Sequence, residues 1–275
     1  MNKKFIVSIV LYNTDLSQLK KCLDSLKKVD PNPVVILVDN SKISNINHIK
    51  NLYDHIVYIH LPKNPGFGSG HNVALKISQT KLYDYHLVIN ADVYFDEDVI
   101  TPMIKYMEQD LSVALMMPKV LNPDGSIQRL CKLLPSPNDL FLRRFVRLRI
   151  FEERSKIFEM HESGYNKVTF SPYLSGCFML LRNDALVEVG LFDENFFMYP
   201  EDIDLTRRLA LKFNTLFFPL VSVYHVHGRS SYKSFKMLFV HIYNIVLYFN
   251  KWGWFFDPLR KQLNNKAKNQ FLNDF

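Results

Sequence analysis

Cysteine is scarce in this chain. The three present among 275 residues, Cys22, Cys131 and Cys177, are odd in number, far apart and without metal-ligand spacing, so neither a disulfide framework nor a zinc site organises the fold. Each is expected as a small buried apolar side chain in a reducing compartment. Long hydrophobic runs are missing too: no stretch of about eighteen apolar residues occurs, which excludes a bilayer-spanning helix. The apolar run that follows Lys3 and Lys4 is short, meets Asn13 and Asp15 at once and lacks a small-residue cleavage site, so it reads as a strand and not as a leader. The net charge of +7 gathers at Arg143, Arg144, Arg147, Arg149 and Arg154 and near the C-terminus, which suits polyanionic partners. Those basic segments contain no zinc finger or aromatic RNP strand, so nucleic acid is not the expected partner.

What is present reads as alternating strands and helices. Residues 5–11 form a β-branched, apolar run ending in Tyr12-Asn13-Thr14-Asp15, and Leu16, Leu19, Leu23 and Leu26 then recur at helical spacing. Pro31-Asn32-Pro33 breaks that helix. Residues 34–38 are a second strand ending in Asp39-Asn40-Ser41, residues 56–61 a third, residues 73–78 a helix, and residues 85–89 a fourth strand ending at Asn90-Ala91-Asp92. This order predicts an α/β fold with a mainly parallel, Rossmann-like central sheet, helices on both faces and right-handed crossovers. Ligands of such sheets sit beyond the carboxyl ends of the strands, where Asn13, Asp39 and Asp92 fall.

Residues 131–167 read as a variable, partly helical insertion, residues 169–181 as strand-like, and residues 216–223 as a further strand before His225-Val226-His227. The expected division is a main domain over residues 1–234 and a helical tail over 235–275. In the tail Phe239, Ile242, Ile245, Val246 and Phe249 share a helical stripe, followed by Lys251-Trp252-Gly253-Trp254. Such a segment suits packing on the main domain or contact with a membrane interface.

The densest chemistry lies at Glu201-Asp202-Ile203-Asp204, with Arg207 and Arg208 close behind. Carboxylates in a first turn suit the helix dipole and can be simple caps. Here Phe192, Phe196 and Phe197 precede them, and aromatic walls that exclude water make a carboxylate more basic and fit for proton abstraction. Asn64-Pro65-Gly66-Phe67-Gly68-Ser69-Gly70-His71-Asn72 follows a strand and opens a helix, as a phosphate-cradling turn does. His71 stands where the dinucleotide fingerprint needs its third glycine, and the turn follows the third strand, not the first, so a purely structural turn is an equal alternative. Asp92 at a strand end can bind Mg2+ or Mn2+ bridging two phosphates, or act as a cap. Of His225 and His227 only one is expected to reach a shared ligand, the other being a structural histidine.

In this order, Ser8-Ile9-Val10-Leu11-Tyr12-Asn13, Val38-Asp39-Asn40-Ser41, the 64–72 turn, Asn90-Ala91-Asp92, Ser175-Gly176-Cys177-Phe178-Met179, Gly190-Leu191-Phe192-Asp193-Glu194, Glu201-Asp202-Ile203-Asp204-Leu205 and the 225–231 segment resemble family 2 inverting glycosyltransferases with a GT-A fold. The resemblance spans residues 4–234. Within the family the chain is most similar to bacterial rhamnosyltransferases of O-antigen and other surface polysaccharides. It implies that Asp39 bonds the pyrimidine, that Tyr12 and Asn13 flank it, and that Asn64, Gly66, Phe67, Gly68 and Asn72 line the nucleotide and donor sugar. Asn90 stands at the first acid of the family's Asp-x-Asp motif and Asp92 at the last. A divalent cation, Mg2+ or Mn2+, would then be held by Asp92 with His225, or else His227, as a further ligand. Asp202 matches the catalytic base, Glu201 would position acceptor or base, and Arg229 would meet the departing diphosphate.

The implied reaction carries L-rhamnose from dTDP-L-rhamnose to a lipid-linked oligosaccharide, by a peripheral enzyme on the cytoplasmic face of the inner membrane. UDP-galactofuranose, UDP-N-acetylglucosamine or UDP-glucose as donor, and a non-catalytic sugar-nucleotide-binding module, are the alternatives.

Overall fold

The computed structural model describes residues 4–44, 46–49, 51–140, 149–226 and 235–271. The first half runs β1 (Phe5–Leu11), α1 (Leu16–Leu26), β2 (Val34–Asp39), α2 (Ile46–Ile49), β3 (Ile56–His60), α3 (Phe67–Thr80), β4 (Tyr85–Ile89), β5 (Val93–Tyr94), α4 (Ile100–Gln109) and β6 (Val113–Leu121). Then come β7 (Cys131–Lys132), α5 (Arg149–Phe158), β8 (Thr169–Phe170), β9 (Tyr173–Leu174), β10 (Phe178–Arg182), α6 (Asn183–Val189), α7 (Glu201–Ala210) and β11 (Asn214–His225). Two further helices, α8 (Phe235–Trp252) and α9 (Pro258–Asn269), end the described chain.

Successive residues of a strand point to opposite faces, and the central strands bury both. Val7, Ile9 and Leu11 of β1 join Val35 and Leu37 of β2 in the main core, with Leu19, Leu23 and Leu26 of α1. Ile6 joins Ile36, Val38 and Ala74 on the other face, under α3. Asp15 starts α1 by accepting from the Ser17 N–H at 2.8 Å.

The strand order is β3-β2-β1-β4-β10-β6-β11-β5, with β8 also paired to β11. Strands β1 to β4, β6 and β11 point one way, and β10, β5 and β8 run against them. The carboxyl ends of β1, β2, β4, β6 and β11 therefore share an edge, which the start of β10 joins. β7 and β9 form a separate ribbon.

Helix α3 begins at Phe67, six residues before the expected start, so most of the glycine-rich segment is helix and not loop. The tail is continuous with the core. Ile245, Tyr248 and Phe249 of α8 and Leu263 and Ala267 of α9 are buried in the main cluster, and the Arg207 guanidinium clasps Asp257 through two bonds of 2.7 and 2.6 Å. The expected apolar stripe is thus divided, with Ile245 and Phe249 inside and Phe239 71% exposed. No described helix is long and apolar enough to cross a membrane.

Candidate active site

The chain enters α7 through Tyr199, whose φ of 94° is a left-handed conformation that a tyrosine seldom adopts. Its ring packs edge-on against His241 of α8 at 4.4 Å. The first two residues of the helix are then Glu201 and Asp202. Asp202 Oδ1 accepts from the Ile203 N–H at 2.7 Å, and Oδ2 accepts from the Gly176 N–H at 2.9 Å. Burial pushes its pKa up to about 6, against the pull of those two N–H groups and of the Lys132 ammonium. Glu201 is 3% exposed and its Oε2 has no hydrogen-bond partner. Burial, and then the Asp202 charge, hold its pKa well above the usual carboxyl range. The pair therefore sets a neutral acid beside a carboxylate poised near neutrality, which is what proton abstraction at ordinary pH requires.

Gly176 makes this contact sterically feasible. A Cβ there would lie 3.3 Å from the Asp202 Cβ and 3.3 Å from Cε1 of Phe67. The next residue, Cys177, accepts from the Asn90 N–H at 2.9 Å, which ties the base to the end of β4. Two residues on, Asp92 Oδ1 stands 3.3 Å from His225 Nε2. The other ring nitrogen of His225 meets Gln128 Oε1 at 3.0 Å, and the Gln128 amide donates to the His225 carbonyl at 2.7 Å. Burial works against an imidazolium at His225, but Cys177 and Asp92 outweigh it and push the pKa up to about 10.

Asp92 offers an oxygen donor to a cation, and His225 a nitrogen donor once the cation displaces its proton. Among the described residues no three His, Cys, Asp or Glu side chains converge as a ready metal cage. The two fit a site that completes its shell from substrate phosphates, as Mg2+ sites commonly do.

The residues expected around the donor divide into three groups. Tyr12, 57% exposed, and Asn13, with φ 48° and its N–H on Ser41 Oγ at 2.8 Å, lie at the open end of β1. Asn90 is partly exposed at the end of β4, and Phe67 is half-buried, its ring 4.5 Å from that of His71. Asp39 is fully buried; Oδ1 accepts from the Ser41 N–H and Oδ2 from the Tyr58 hydroxyl, so it braces the strand end from beneath.

The glycine-rich segment packs closely against its neighbours. Asn64, with φ 47°, accepts from the Gly66 N–H, and a Cβ on Gly66 would collide with the Phe197 carbonyl oxygen. A Cβ on Gly68 would lie 2.9 Å from the Phe192 Cβ, and one on Gly70 2.8 Å from Val10 Cγ2. The Asn72 amide donates to Phe192 O and Glu194 Oε1 and accepts from the Phe192 N–H. Through these contacts Gly66, Gly68 and Asn72 dock α3 against the 192–197 segment. Arg229 and His227 lie outside the described residues. The sequence reading gave no role to Gly176 or Lys132; an isolated glycine within a strand-like run was the available signal for the first.

Residues 6–190 match the model of the family described as glycosyl transferase family 2, two-thirds of the chain. The chain belongs to that family. This glycosyltransferase is 30% identical over 207 residues to rhamnosyltransferase WbbL of Escherichia coli K12, covering 70% of this chain and 72% of that protein. It is 25% identical over 232 residues to the N-acetylglucosaminyl-diphospho-decaprenol L-rhamnosyltransferase of Mycobacterium tuberculosis, covering 78% and 73% of the two. Among solved structures, GalNAc-T7 with UDP, GalNAc and Mn2+ superposes with a TM-score of 0.59 at 14% identity, covering 81% of this chain and 43% of that one. Staphylococcus aureus TarS gives 0.56 at 18% identity, covering 98% and 43%. The glycosyltransferase thus spans less than half of those two solved chains, and the likeness to them is one of fold: a GT-A sheet flanked by helices.

Proposed function

We propose that this glycosyltransferase moves L-rhamnose from dTDP-L-rhamnose to a lipid-linked oligosaccharide in cell-surface polysaccharide synthesis, working at the cytoplasmic face of the inner membrane with its C-terminal region against the lipid. The rhamnose assignment is supported by the names of the E. coli and M. tuberculosis relatives, the second of which names a decaprenol-linked acceptor. The observation that carries the chemistry is Asp202, held by the Gly176 and Ile203 N–H groups with its pKa near 6.

Inverting transfer needs an acceptor hydroxyl to attack the anomeric carbon opposite the leaving nucleoside diphosphate. Asp202 takes the proton of that hydroxyl, and protonated Glu201 beside it fixes the orientation of base and acceptor. Asp92 and His225 would hold a Mg2+ or Mn2+ ion. When bound, such an ion stabilises the charge that develops on the diphosphate without a separate general acid. Tyr12, Asn13, Phe67 and Asn90 border the donor, Asp39 bonds its pyrimidine from the end of β2, and Arg229 meets the leaving diphosphate.

The test is donor hydrolysis and transfer across dTDP- and UDP-sugars with Mn2+ or Mg2+, beside Asp202→Asn. Release of dTDP from dTDP-rhamnose is expected, falling about 10²- to 10⁴-fold in the variant while donor binding is kept. Activity confined to a UDP-sugar would retain the family and discard rhamnose.

A further inference from the structure

Between α8 and α9 the chain displays two phenyl rings to solvent: Phe255 is 74% exposed and Phe256 96%. Neighbouring aromatics are spent inside. Trp252 donates to Asp204 and Trp254 to Asn250, so the tryptophans of the sequence's aromatic segment are anchors and Phe255 and Phe256 are what the turn shows. The turn is also rigidly built. Gly253 has a φ of +98°, and a Cβ there would lie 2.7 Å from the Phe256 carbonyl oxygen. Asp257 caps α9 by accepting from the Arg260 N–H while holding Arg207. The Arg260 guanidinium donates to the carbonyls of Trp254, Phe255 and Pro135.

These bonds matter for partner choice. Carbonyls already satisfied by the protein lower the cost of moving the turn out of water, and two rings on a fixed turn lose little freedom on insertion. A shallow cavity of about 340 Å³ lies against the rings, and Phe255, Phe256, Asp257, Arg260 and Lys261 are among the residues that bound it. Asp257 is neutralised there by Arg207, which leaves Arg260 and Lys261 as the unmatched charges of its lining. From Pro258 to Phe271 the sequence carries Arg260, Lys261, Lys266 and Lys268 and no acid, and the nearby Asp257 is buried against Arg207.

We propose that Phe255 and Phe256 insert into the interface of an anionic lipid bilayer, with lipid phosphate drawn to the Arg260–Lys261 side of the cavity. The inference deepens the proposed function, resting on its membrane-borne acceptor, and assigns membrane contact to this turn and not to the length of α8. Apolar insertion and basic attraction supply the two signals that reversible membrane attachment needs.

The test is sedimentation of the full chain with vesicles of phosphatidylcholine alone or mixed with phosphatidylglycerol. Wild-type protein should bind the anionic vesicles. Phe255→Ser/Phe256→Ser should weaken binding at least about tenfold, Phe255→Trp/Phe256→Trp should retain it, and Lys261→Glu should weaken it on anionic vesicles alone. All three variants should keep wild-type thermal midpoints and donor hydrolysis. Wild-type protein that stays in the supernatant, a serine variant that sediments as wild type does, or self-association without vesicles that the serine variant abolishes would each overturn the proposal, the last by making a second copy the occupant. Vesicle binding is scored without sugar transfer. A chain that uses a UDP-sugar yet binds through the turn sustains it, and one that transfers rhamnose without binding refutes it.

Discussion

The two ends of α7 are built from the same residue types and do different things. At its start, Glu201 keeps an oxygen without a partner, and Asp202 is bonded by two backbone N–H groups. Further along, each charge has an opposite partner, although the Arg207 Nε is also buried without a hydrogen bond. Asp204 accepts from Arg208 Nε at 2.8 Å, from the Trp252 indole at 2.8 Å and from Lys251 at 2.7 Å. Arg207 is fully buried between Asp257 and the Trp252 ring, 4.0 Å away. Charge density drew attention to the whole segment, yet ion pairing separates the anchoring end from the reactive one.

Two substitutions test that division. Asp202→Asn keeps the size of the side chain and removes the base, so the loss of turnover expected of it should leave the urea midpoint almost unmoved. Asp257→Ala should act the other way. It leaves Arg207 as a buried charge without its partner, which costs about 3–5 kcal/mol of unfolding free energy. Similar losses of stability in both variants would erase the distinction. For the same reason, truncation after Ser234 is a poor probe of membrane contact, since it removes Asp257 together with the tail.

An unpartnered buried atom alone does not mark a reactive site. His71 Nε2 and His86 Nδ1 also lack partners, but both rings are fully buried on Ser8 Oγ, at 2.7 and 2.8 Å, between α3 and the sheet. Burial, with the repulsion of His86, holds His71 well below its ordinary pKa, and burial takes His86 down from 6.5 to about 3. Both are neutral in the fold, whereas the unfolded chain takes up protons as pH falls below about 6.5. Stability therefore falls with pH from there downward, by up to about 1.4 kcal/mol per pH unit for each histidine. His86→Gln should flatten the urea-unfolding free energy against pH by about one proton's worth and leave the pH–rate profile alone. A shifted rate profile would connect these histidines to the site.

What was legible in the sequence follows from where the deciding contacts lie. Strands β1 and β4 stand where residues 5–11 and 85–89 were expected, because strands buried on both faces give unbroken apolar runs bounded by polar residues. Strand β6 carries Pro118 within its apolar run, and α4 has no side-chain cap at Val99, so neither announces itself locally. The order of motifs identified the family. The roles of the glycines were hidden because Gly68 and Asn72 meet Phe192, about 120 residues on. Helical spacing put Phe239 on one stripe with Ile245 and Phe249, but the core takes only the latter two, near where Asp204 and Arg207 bond Trp252 and Tyr248 of that helix.

The smallest expected effect asks how far a single charge from outside α7 tunes its reactive end. Lys132, on the β7–β9 ribbon beside the Tyr173 ring, pulls the Asp202 pKa down while burial raises it. Lys132→Met keeps most of the aliphatic stem and removes the ammonium. The base works deprotonated, so a raised pKa leaves less of it active at a given pH. The acid limb of kcat/KM should move from about 6 toward higher pH, by less than about one unit, with the two enzymes converging above pH ~8. A midpoint that stays in place would leave the balance between burial and the Gly176 and Ile203 N–H groups as what sets the base, and the reactive end of α7 would then owe its pKa to the same local packing that holds its anchoring end.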